Sequence, residues 1–522
     1  MKTPPTVLTK SDLQSFLQCP RKLWLEHHEP HLLPEDDPVF YRRATDGVIV
    51  GEKARELIDG VYVGLSKEED KTTAAARAKS ILHQEPRKPA VEVPMLHGGL
   101  YVEADALVPD GNGYVLRETK ASSFPLKSDK VTPDKPKEHH LNDAAIQAWV
   151  MEGTGLSLSR VELNLLNNQW RYPGNGAYAD LFRQYDVTAE VLQRKNDVPT
   201  WLTQAQAILS ADMPQVVTGK HCSDPYACPF QGHCQTLDPP SPAHPIELLP
   251  DVAGKGLAKK LRETKGYTSI LDPQPGELTG KQADLFRRIQ SAHRTGKAIL
   301  EPGSDALLKS LPYPRYYFDF EGIDLPVPRW KGVRPYEQIP FQWSCHIEHS
   351  PGVFEHAEFL DLTGNDPSLG CIERMREVIP SDGDGPIFVY YQVYEKLRLE
   401  ELGIRHPEHN DMMQAYVARL FDLHPIVKQH FYHPHMHGSF SIKHVLPVIA
   451  SDLDYGELEE VREGVGAQVA YLYATLDPNT TEERKASLEA QLSKYCRLDT
   501  WAMVEVAYFL ARAGRPVRPD GM

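Results

Sequence analysis

Alternating apolar and polar positions occur in two distant parts of the chain, and each part predicts neighbouring strands. In the first part, residues 100–108 and 114–120 have the two-residue period of strands, and residues 109–113 between them predict a hairpin loop. In the second part, residues 315–321 and 338–347 are rich in aromatic and branched side chains, which favour strands. Each pair is therefore predicted to belong to a sheet.

Helical spacing predicts the elements that pack on these strands. Leu13, Phe16 and Leu17 form an apolar face one turn deep, and Ser11 followed by Gln14 predicts a capping box at the start of that helix. Other elements are predicted at three places: a helix over residues 141–153, a strand over residues 386–391 with a helix from about residue 393, and a late helix from about residue 482. The alternation of strands and helices predicts the α/β fold class.

Two proline-containing breaks divide the chain into three predicted parts. A proline-rich linker is predicted to start at residue 237, and a second boundary is predicted near residue 311. The predicted domains are residues 1–236, residues 237–311 and residues 312–522. In the middle part, residues 249–261 have the spacing of a helix–hairpin–helix element, which would bind phosphates through backbone amides. An ordinary connecting helical bundle is the alternative.

The composition is that of a multi-domain globular protein. Of its 522 residues, 41% are hydrophobic and 25% are charged, and this length exceeds what one hydrophobic core supports. Apolar runs are too short for a membrane span, and the N-terminal residues lack a signal-peptide core, so we expect a cytoplasmic protein with no membrane partner. The net charge of −15 does not exclude nucleic acid as a partner, because binding depends on local basic patches.

Asp105, Glu118 and Lys120 form the first candidate site. Glu118 and Lys120 lie two residues apart on a predicted strand, so their side chains project from one face, and Asp105 lies across the hairpin. Two carboxylates can hold Mg²⁺ or Mn²⁺, which activates a water and neutralises a phosphate. Lys120 can stabilise the charge that develops in the transition state, and Gln147 on the next helix can face the hairpin. The pattern favours metal-dependent phosphodiester cleavage; scattered charges on a solvent-facing strand are the alternative.

Four of the seven cysteines surround this candidate site in the sequence. Cys19 precedes it, and Cys222, Cys228 and Cys234 follow it with five residues between successive cysteines. Zinc sites made of four cysteines usually contain pairs with two to four residues between them, so this spacing favours a 4Fe–4S cluster. Zinc is the alternative. Such a cluster would be structural and would join the two ends of the core.

Five residues toward the C terminus form the second candidate site: Asp319, Glu321, Glu395, Tyr495 and Asp499. Asp319 and Glu321 share one face of a predicted strand, whereas Glu395 and Asp499 lie on predicted helices. Four acids contributed by separate elements are one way of building a site for two divalent cations, in which one cation activates the attacking water and the other supports the leaving oxygen.

The N-terminal part resembles the RecB-like PD-(D/E)xK nucleases. The resemblance is to their iron–sulfur branch, which includes the AddB subunit of bacterial recombination nucleases and the CRISPR-adaptation exonucleases. Residues 11–23 resemble its first cysteine motif. Its nuclease motifs are matched in order by Asp105, Glu118, Lys120 and Gln147, and its closing trio by Cys222, Cys228 and Cys234. The resemblance implies a restriction-endonuclease-like core with a 4Fe–4S cluster on these three cysteines and Cys19. Gly51 and Met151 stand where the family commonly has a metal-ligating histidine and a tyrosine.

The C-terminal part is similar to the DnaQ-like DEDD exonucleases. The three exonuclease motifs are matched by Asp319 with Glu321, by Glu395, and by Tyr495 with Asp499. The resemblance implies a ribonuclease-H-like α/β domain in which the four acids bind Mg²⁺ or Mn²⁺ and Tyr495 holds the nucleophilic water. Asp422 is a rival for the third acid or for an auxiliary role. Residues 438–447 also resemble an uncharacterised bacterial family that pairs this domain with the RecB-like nuclease.

Together these observations predict a metal-dependent nuclease that hydrolyses DNA, as an exonuclease on single strands or DNA ends in repair, recombination or defence. Tyr336, Phe341 and Trp343 are candidates for base stacking, with core packing as the alternative for at least two of them. A helicase or a repair or defence complex could deliver the substrate, because the chain has no Walker-type loop. Two alternatives stay open: an RNA exonuclease that uses only the C-terminal site, and an inactive DNA-end-binding subunit.

Overall fold

The computed structural model describes residues 7–34, 37–453, 455–458, 461 and 463–518. The contacts within it divide the chain into two compact units. Unit 1 runs to Pro239 and includes Leu325–Glu337, and unit 2 comprises Pro240–Asp324 and the chain from Gln338 onward. The predicted middle part therefore belongs with the C-terminal part from residue 240 onward, and does not form a unit of its own.

The fold is mixed α/β: among the described residues, unit 1 has one seven-stranded sheet, and unit 2 has a five-stranded and a two-stranded sheet. No helix among the described residues has both the length and the apolar character that crossing a bilayer requires.

Unit 1 contains seven strands among the described residues: β1 (Leu8–Thr9), β2 (Val61–Tyr62), β3 (Ala90–His97), β4 (Leu100–Asp110), β5 (Gly113–Ser123), β6 (Leu158–Leu166) and β7 (Phe182–Asp186). Its α-helices are α1 (Lys10–Gln18), α2 (Pro20–His28), α3 (Pro38–Ile58), α4 (Lys71–Leu82), α5 (Glu138–Gly153), α6 (Thr188–Arg194), α7 (Val198–Leu209) and α8 (Gln231–Leu237).

The sheet of unit 1 has the order β2-β3-β4-β5-β6-β7, and β1 pairs with β4. β4 and β5 form the predicted hairpin, although its loop is shorter than expected and contains only residues 111–112. Ala106 pairs with Arg117, so the next two positions along the ladder are Asp105 and Glu118. The hairpin register therefore brings the two predicted acids opposite each other.

Helix α5 connects the parallel strands β5 and β6 and lies in the core of unit 1. Its apolar residues, such as Ala144, Ile146 and Ala148, are fully buried. Asp143 and Gln147 lie on the same helix and are also buried. A buried polar side chain needs a partner, and these two find theirs in the first candidate site.

The first helix begins earlier than the sequence indicates. Thr9 is its N-cap and accepts a hydrogen bond from the Asp12 backbone N–H, while the Asp12 carboxylate accepts one from the Thr9 N–H at 2.7 Å. The capping box is thus formed by Thr9 and Asp12, and the predicted box of Ser11 and Gln14 is wrong, because β1 continues directly into α1 and moves the cap upstream. Cys19 lies at the junction of α1 and α2, as predicted.

Unit 2 contains seven strands among the described residues: β8 (Ile299–Leu300), β9 (Arg315–Asp324), β10 (Gln338–Ser350), β11 (Val353–Leu360), β12 (Ile387–Val389), β13 (Leu420–Asp422) and β14 (Phe431–Tyr432). Its α-helices are α9 (Asp251–Lys265), α10 (Ala283–Thr295), α11 (Ser304–Lys309), α12 (Ser368–Val378), α13 (Val393–Arg405), α14 (Asn410–Arg419), α15 (Leu423–His430), α16 (Ile442–Ile449), α17 (Gly464–Leu476) and α18 (Glu482–Leu510).

The main sheet of unit 2 has the order β11-β10-β9-β12-β13. β9, β10 and β11 are antiparallel neighbours, whereas β12 is parallel to both β9 and β13. The strands predicted at residues 315–321 and 338–347 are confirmed, and the helices expected near residues 393 and 482 are α13 and α18. β9 is the central strand, so residues on its faces meet elements from several parts of unit 2.

Residues 249–261 do not form a helix–hairpin–helix element. They run into the single helix α9, which ends at Gly266 with a left-handed φ of 71°. Gly254 lies inside this helix, where an added Cβ would come within 2.6 Å of the Leu249 carbonyl carbon. The helix–hairpin–helix prediction is therefore wrong, because Gly254 allows close packing of the helix on the preceding residues and does not make a turn.

Candidate metal centre

Four acidic side chains of unit 2 come together from three elements. Asp319 and Glu321 lie two residues apart on β9, so the alternation of the strand directs both to one face. Glu395 lies in the first turn of α13, and Asp499 lies in α18. Glu321, Glu395 and Asp499 are buried, and Asp319 is partly buried. The structure thus gathers acids that are up to 180 positions apart in the sequence (499 − 319).

The positions of these acids suit a shared cation. Among the residues that the structure describes, Asp319, Glu321 and Asp499 are the one group whose three ligand atoms lie within 4.8 Å of one another. Glu395 lies beside Asp319, and each carboxyl affects the pKa of the other; no protein donor reaches the buried Oε2 of Glu395. Burying a carboxylate oxygen without a partner is costly, so this donor set fits a divalent cation.

Burial and mutual repulsion raise the pKa values of all four carboxyls. Desolvation is the largest cause, and the charges of the neighbouring acids hold the pKa of Asp319 well above its ordinary value. The same two causes raise the pKa of Glu321 to about 8. Burial raises the pKa of Glu395 to about 7 and also raises that of Asp499. Without a cation, the cluster therefore opposes folding at neutral and alkaline pH.

Removing one of these charges should stabilise the metal-free protein. We expect Asp319→Asn to raise the free energy of unfolding at pH 8, because the buried carboxyls repel one another in the folded state; the gain should lie in the usual range for single substitutions, about 0.5–3 kcal/mol. The raised pKa makes the folded state bind the proton more tightly than the unfolded state, so the gain should shrink as the pH falls toward 5. Urea unfolding in the presence of EDTA measures it. Asp382→Asn, at an exposed position, is the control, and a destabilised Asp319→Asn protein would contradict the repulsion.

Two tyrosines and a lysine complete the site. The Tyr455 hydroxyl donates to Asp499 Oδ1 at 2.5 Å, and Tyr495 lies near enough to Asp499 to favour its charged form. Lys443 Nζ donates to the Tyr495 hydroxyl at 3.4 Å and lies within 5.5 Å of the ring centres of both tyrosines, at 5.4 and 5.3 Å. Burial and the neighbouring acids hold the pKa of each tyrosine well above its ordinary range, so both hydroxyls remain proton donors. Sequence reasoning identified Tyr495 but missed Tyr455.

Lys443 and Tyr495 line a cavity of about 690 Å³. Asp319, Glu321 and Asp499 lie on its wall together with Lys443 and the exposed Tyr391. A cavity of this volume is in the range that holds a small ligand, about 300–1,000 Å³. Acids that gather a cation, next to a lysine, suit a substrate that carries a phosphate.

Asp422 has a different role from the four clustered acids. Its Oδ1 accepts hydrogen bonds from the backbone N–H groups of Tyr391 and His424, both at 2.9 Å, and its Oδ2 accepts one from Gln392 N–H at 3.0 Å. The carboxylate therefore fixes the backbone just before α13, the helix that carries Glu395. Of the two roles left open for Asp422, these contacts favour the auxiliary one.

The first candidate site, in unit 1, also assembles, but with more charges than predicted. Asp105 Oδ2 accepts from the Thr119 backbone N–H at 2.6 Å, and Glu118 accepts from Lys120 Nζ at 2.6 Å. Gln147 Nε2 donates to Glu118 Oε2 at 2.6 Å, so α5 does face the hairpin. The four predicted residues thus lie close together around Glu118.

Lys10 and Asp143 are additional members of this cluster. Lys10 Nζ lies 3.0 Å from Glu118 Oε1 and 3.1 Å from Asp143 Oδ1, and Lys120 pairs with Asp143 as well. Asp143 could have been found in the sequence, since it precedes Gln147 by one helical turn and so shares its face. Lys10 could not have been found in the sequence, because only the tertiary structure brings the start of α1 to the hairpin.

The two lysines neutralise most of the acidic charge in this cluster. Burial opposes the charged form of Lys10, but Asp143 and Glu118 outweigh it and raise the pKa of Lys10. Burial also disfavours the Asp143 carboxylate, yet the ammonium groups of Lys10 and Lys120 hold its pKa well below the ordinary value. Burial and the Glu118 charge raise the pKa of Asp105 to about 7. Lys10 thus places a positive charge beside two of the carboxylates.

Replacing Lys10 with methionine should therefore destabilise unit 1 and make it respond more strongly to a cation. Breaking a fully buried ion pair costs about 3–5 kcal/mol; because 21% of the Lys10 side chain is exposed, we expect about 2 kcal/mol. Thermal unfolding with and without Mn²⁺ measures both effects, and Mn²⁺ should raise the melting temperature more in Lys10→Met than in the wild type. Lys88→Met, at an exposed position, is the control. An equal Mn²⁺ response in both proteins would contradict this role for Lys10.

The four cysteines singled out in the sequence line one small cavity in unit 1. Cys19 lies between α1 and α2, Cys222 and Cys228 lie on the segment before α8, and Cys234 lies on α8. Arg21 also lines the cavity and interacts with Cys234. Among the described residues, no three cysteine sulfurs lie within 4.8 Å of one another. The remaining cysteines, Cys345, Cys371 and Cys496, are buried in unit 2.

Two of the three aromatic residues considered for base stacking are in the core. The side chains of Phe341 and Trp343 are fully buried on β10, which confirms the core-packing alternative for these two residues and excludes them from base stacking. The hydroxyl of Tyr336 donates to the Ala121 carbonyl at 2.9 Å within unit 1. Both faces of β10 are covered over most of its length.

Comparisons with known proteins identify one domain model within unit 2. Residues 316–441 match a family model described as a domain of unknown function (DUF2779). No curated protein matches the chain significantly. Among solved structures, the crystal structure of SSO0001 is 15% identical with a TM-score of 0.24, over 45% of this chain and 88% of that one; a TM-score this low carries no structural argument. The matched family segment contains Asp319, Glu321 and Glu395, and it ends before Tyr495 and Asp499.

Proposed function

We propose that the protein is a metal-dependent nuclease whose main active site is the acidic cluster of unit 2. The observation that carries the proposal is the convergence of Asp319, Glu321 and Asp499, whose ligand atoms lie within 4.8 Å of one another on the wall of the cavity. Carboxylates are the ligands that Mg²⁺ and Mn²⁺ prefer. DNA, as a single strand or at an end, is the proposed substrate.

Mg²⁺ or Mn²⁺ would be held by Asp319, Glu321 and Asp499, with Glu395 as the fourth acid. When bound, such an ion supplies an activated water and neutralises charge on the phosphate. Lys443 brings a positive charge to the same cavity and can pair with a phosphate oxygen. Tyr495 keeps its proton next to Asp499 and can orient a water through its hydroxyl, the role that the DEDD resemblance implies.

The strand arrangement of unit 2 supports the same proposal. Its central strand β9 carries the first two acids, with antiparallel neighbours on one side and the parallel strands β12 and β13 on the other. We infer a ribonuclease-H-like α/β domain in which α13 and α18 bring the other two acids to β9. One fold supports many functions, so the acidic cluster and not the fold indicates the chemistry.

For unit 1 we propose a PD-(D/E)xK core that is closed by an iron–sulfur cluster. A zinc ion bound at about 2.3 Å would draw its ligand sulfurs to within about 4 Å of one another. The four cysteines line one cavity, but no three of their sulfurs lie within 4.8 Å of one another, so their spacing does not match a bound zinc ion. A 4Fe–4S cluster on Cys19, Cys222, Cys228 and Cys234 is our proposal. Since Lys10 and Lys120 neutralise Glu118 and Asp143, we assign the larger share of activity to unit 2.

A cleavage assay on iron-replete protein purified without oxygen tests this function. Single-stranded DNA and RNA of the same sequence, labelled at either end, would be incubated with Mg²⁺ or Mn²⁺ and with the wild type, Lys120→Ala or Asp319→Asn. We expect stepwise shortening of DNA from one end and a smaller loss of activity in Lys120→Ala than in variants of the unit 2 site.

The same assay separates the alternatives. RNA cleavage without DNA cleavage, unaffected by Lys120→Ala, would replace our substrate assignment with an RNA exonuclease that uses unit 2 alone. Tight binding of DNA ends with no cleavage in either metal would refute the catalytic proposal and favour an inactive DNA-end-binding subunit of a repair or defence complex.

A further inference from the structure

Tyr391 is an exposed aromatic residue at the cavity that holds the acidic cluster. Its side chain is 59% exposed, although it lines the same cavity as Asp319, Glu321 and Asp499. Isolated exposed aromatic residues are common on protein surfaces, so exposure alone does not indicate a binding role for Tyr391. The backbone of Tyr391 makes this one unusual.

Tyr391 adopts a left-handed backbone conformation with φ of 73°. This conformation is unfavourable for a residue with a Cβ and a large side chain, and glycine would adopt it without strain. Such strain persists only where the surroundings impose it, and it concentrates at functional sites. The chain therefore keeps a tyrosine at a position where glycine would be more favourable for folding.

Asp422 and His424 hold this strained tyrosine in place. The Asp422 carboxylate accepts hydrogen bonds from the backbone N–H groups of Tyr391 and Gln392, at 2.9 and 3.0 Å. The His424 and Tyr391 rings are nearly perpendicular, with ring centres 5.4 Å apart and an interplanar angle of 86°. The two rings are therefore in contact without being stacked on each other.

We propose that Tyr391 is a stacking platform for the base of the terminal nucleotide of a single strand. The proposal rests on the proposed function, because it places the phosphodiester of that nucleotide at the acidic cluster and its phosphate near Lys443. An exposed ring held rigidly at the edge of a phosphate-binding cavity fits a flat aromatic ligand, and stacking tolerates any base because every base has a π-face. The substrate class is therefore an unpaired end of any sequence, with the base present.

Binding of an oligonucleotide with 2-aminopurine as its terminal base tests the platform. The measurement uses full-length protein carrying Asp319→Asn, so that no strand is cut, and compares Tyr391, Tyr391→Phe and Tyr391→Gly in that background. Stacking quenches 2-aminopurine fluorescence. We expect quenching with Tyr391 and with Tyr391→Phe, and neither quenching nor tight binding with Tyr391→Gly, whose affinity should be about 5- to 150-fold lower.

Tyr391→Gly separates a binding role from a structural one. Glycine relieves the left-handed strain, so this variant should fold at least as stably as the parent while it loses the base contact. A strand with an abasic terminal nucleotide should bind all three proteins equally. Tyr62→Ala, which removes a tyrosine that is 64% exposed in unit 1, is the control and should leave quenching unchanged.

The outcomes distinguish this inference from the nuclease proposal. The platform is refuted if Tyr391→Gly binds and quenches as the parent does, or if Tyr391→Gly weakens binding of the abasic strand as much as binding of the intact strand. In either case, cleavage by the wild type would still support the nuclease. If the wild type binds with quenching but cuts nothing, the platform stands and the catalytic proposal falls. If no nucleic acid is bound, both are refuted.

Discussion

Asp319→Asn should abolish nearly all metal-dependent cleavage of nucleic acid by this protein. Asp319 contributes to the group of three ligand atoms and lies beside Glu395, so an amide at this position removes a charge from the cation site. Loss of a single neutral oxyanion donor costs an enzyme about 100- to 1,000-fold in rate, and loss of a charged cation ligand should cost no less. We expect at least a 100-fold lower kcat/KM on the best single-stranded substrate.

The stability of this variant makes the result interpretable. Because the acids repel one another in the metal-free protein, Asp319→Asn should unfold at higher denaturant concentration than the wild type, so its inactivity cannot come from unfolding. Asp382→Asn, an exposed acid of unit 2, should keep wild-type activity. Retention of more than about a tenth of the activity by Asp319→Asn would show that chemistry takes place elsewhere.

Cys228→Ser should cause the protein to lose most of its iron and unit 1 to lose much of its stability. Cys228 lines the cavity shared by the four cysteines, and a cluster there would link α1 to a segment about 200 residues later (222 − 19 = 203). Cross-links that close loops of this length contribute about 4 kcal/mol or more, and binding of a metal group adds directly to folding free energy. Iron analysis and thermal unfolding of anaerobically purified protein measure the two effects.

The matched control for this substitution is Cys371→Ser. Cys371 is buried in unit 2, away from the four cysteines, so its replacement should leave the iron content unchanged. Zinc in place of iron in the wild type would contradict the cluster and favour the four-cysteine zinc site. Equal iron in Cys228→Ser and wild type would exclude Cys228 as a ligand.

The parts of the fold that follow from local periodicity could be predicted from the sequence. The hairpin of unit 1, the strand that carries Asp319 and Glu321, and the helix that carries Asp499 were all expected where they occur, because alternation and helical spacing act over a few residues. The predicted acids of unit 2 do converge. Tyr455, which bonds Asp499, was missed because it lies in no regular pattern and reaches the site only through tertiary structure.

Other features depend on contacts that no local pattern encodes. Lys10 meets Glu118 across 108 positions (118 − 10), and a lysine near a helix start gives no sign of such a partner. The spacing of residues 249–261 suggested a helix–hairpin–helix element, whereas Gly254 allows close packing inside the single helix α9. The sequence left both base stacking and core packing open for Phe341 and Trp343, because burial is set by what covers a strand and not by the strand's own sequence.

The position of a bound cation tests the central claim most directly. Crystals grown with Mn²⁺ and measured at the manganese absorption edge would locate the ion through its anomalous scattering. We expect the strongest peak between Asp319, Glu321 and Asp499, and its disappearance in Asp319→Asn. Manganese bound only beside Asp105 and Glu118, with none at the cluster of unit 2, would contradict the assignment of the main active site to unit 2.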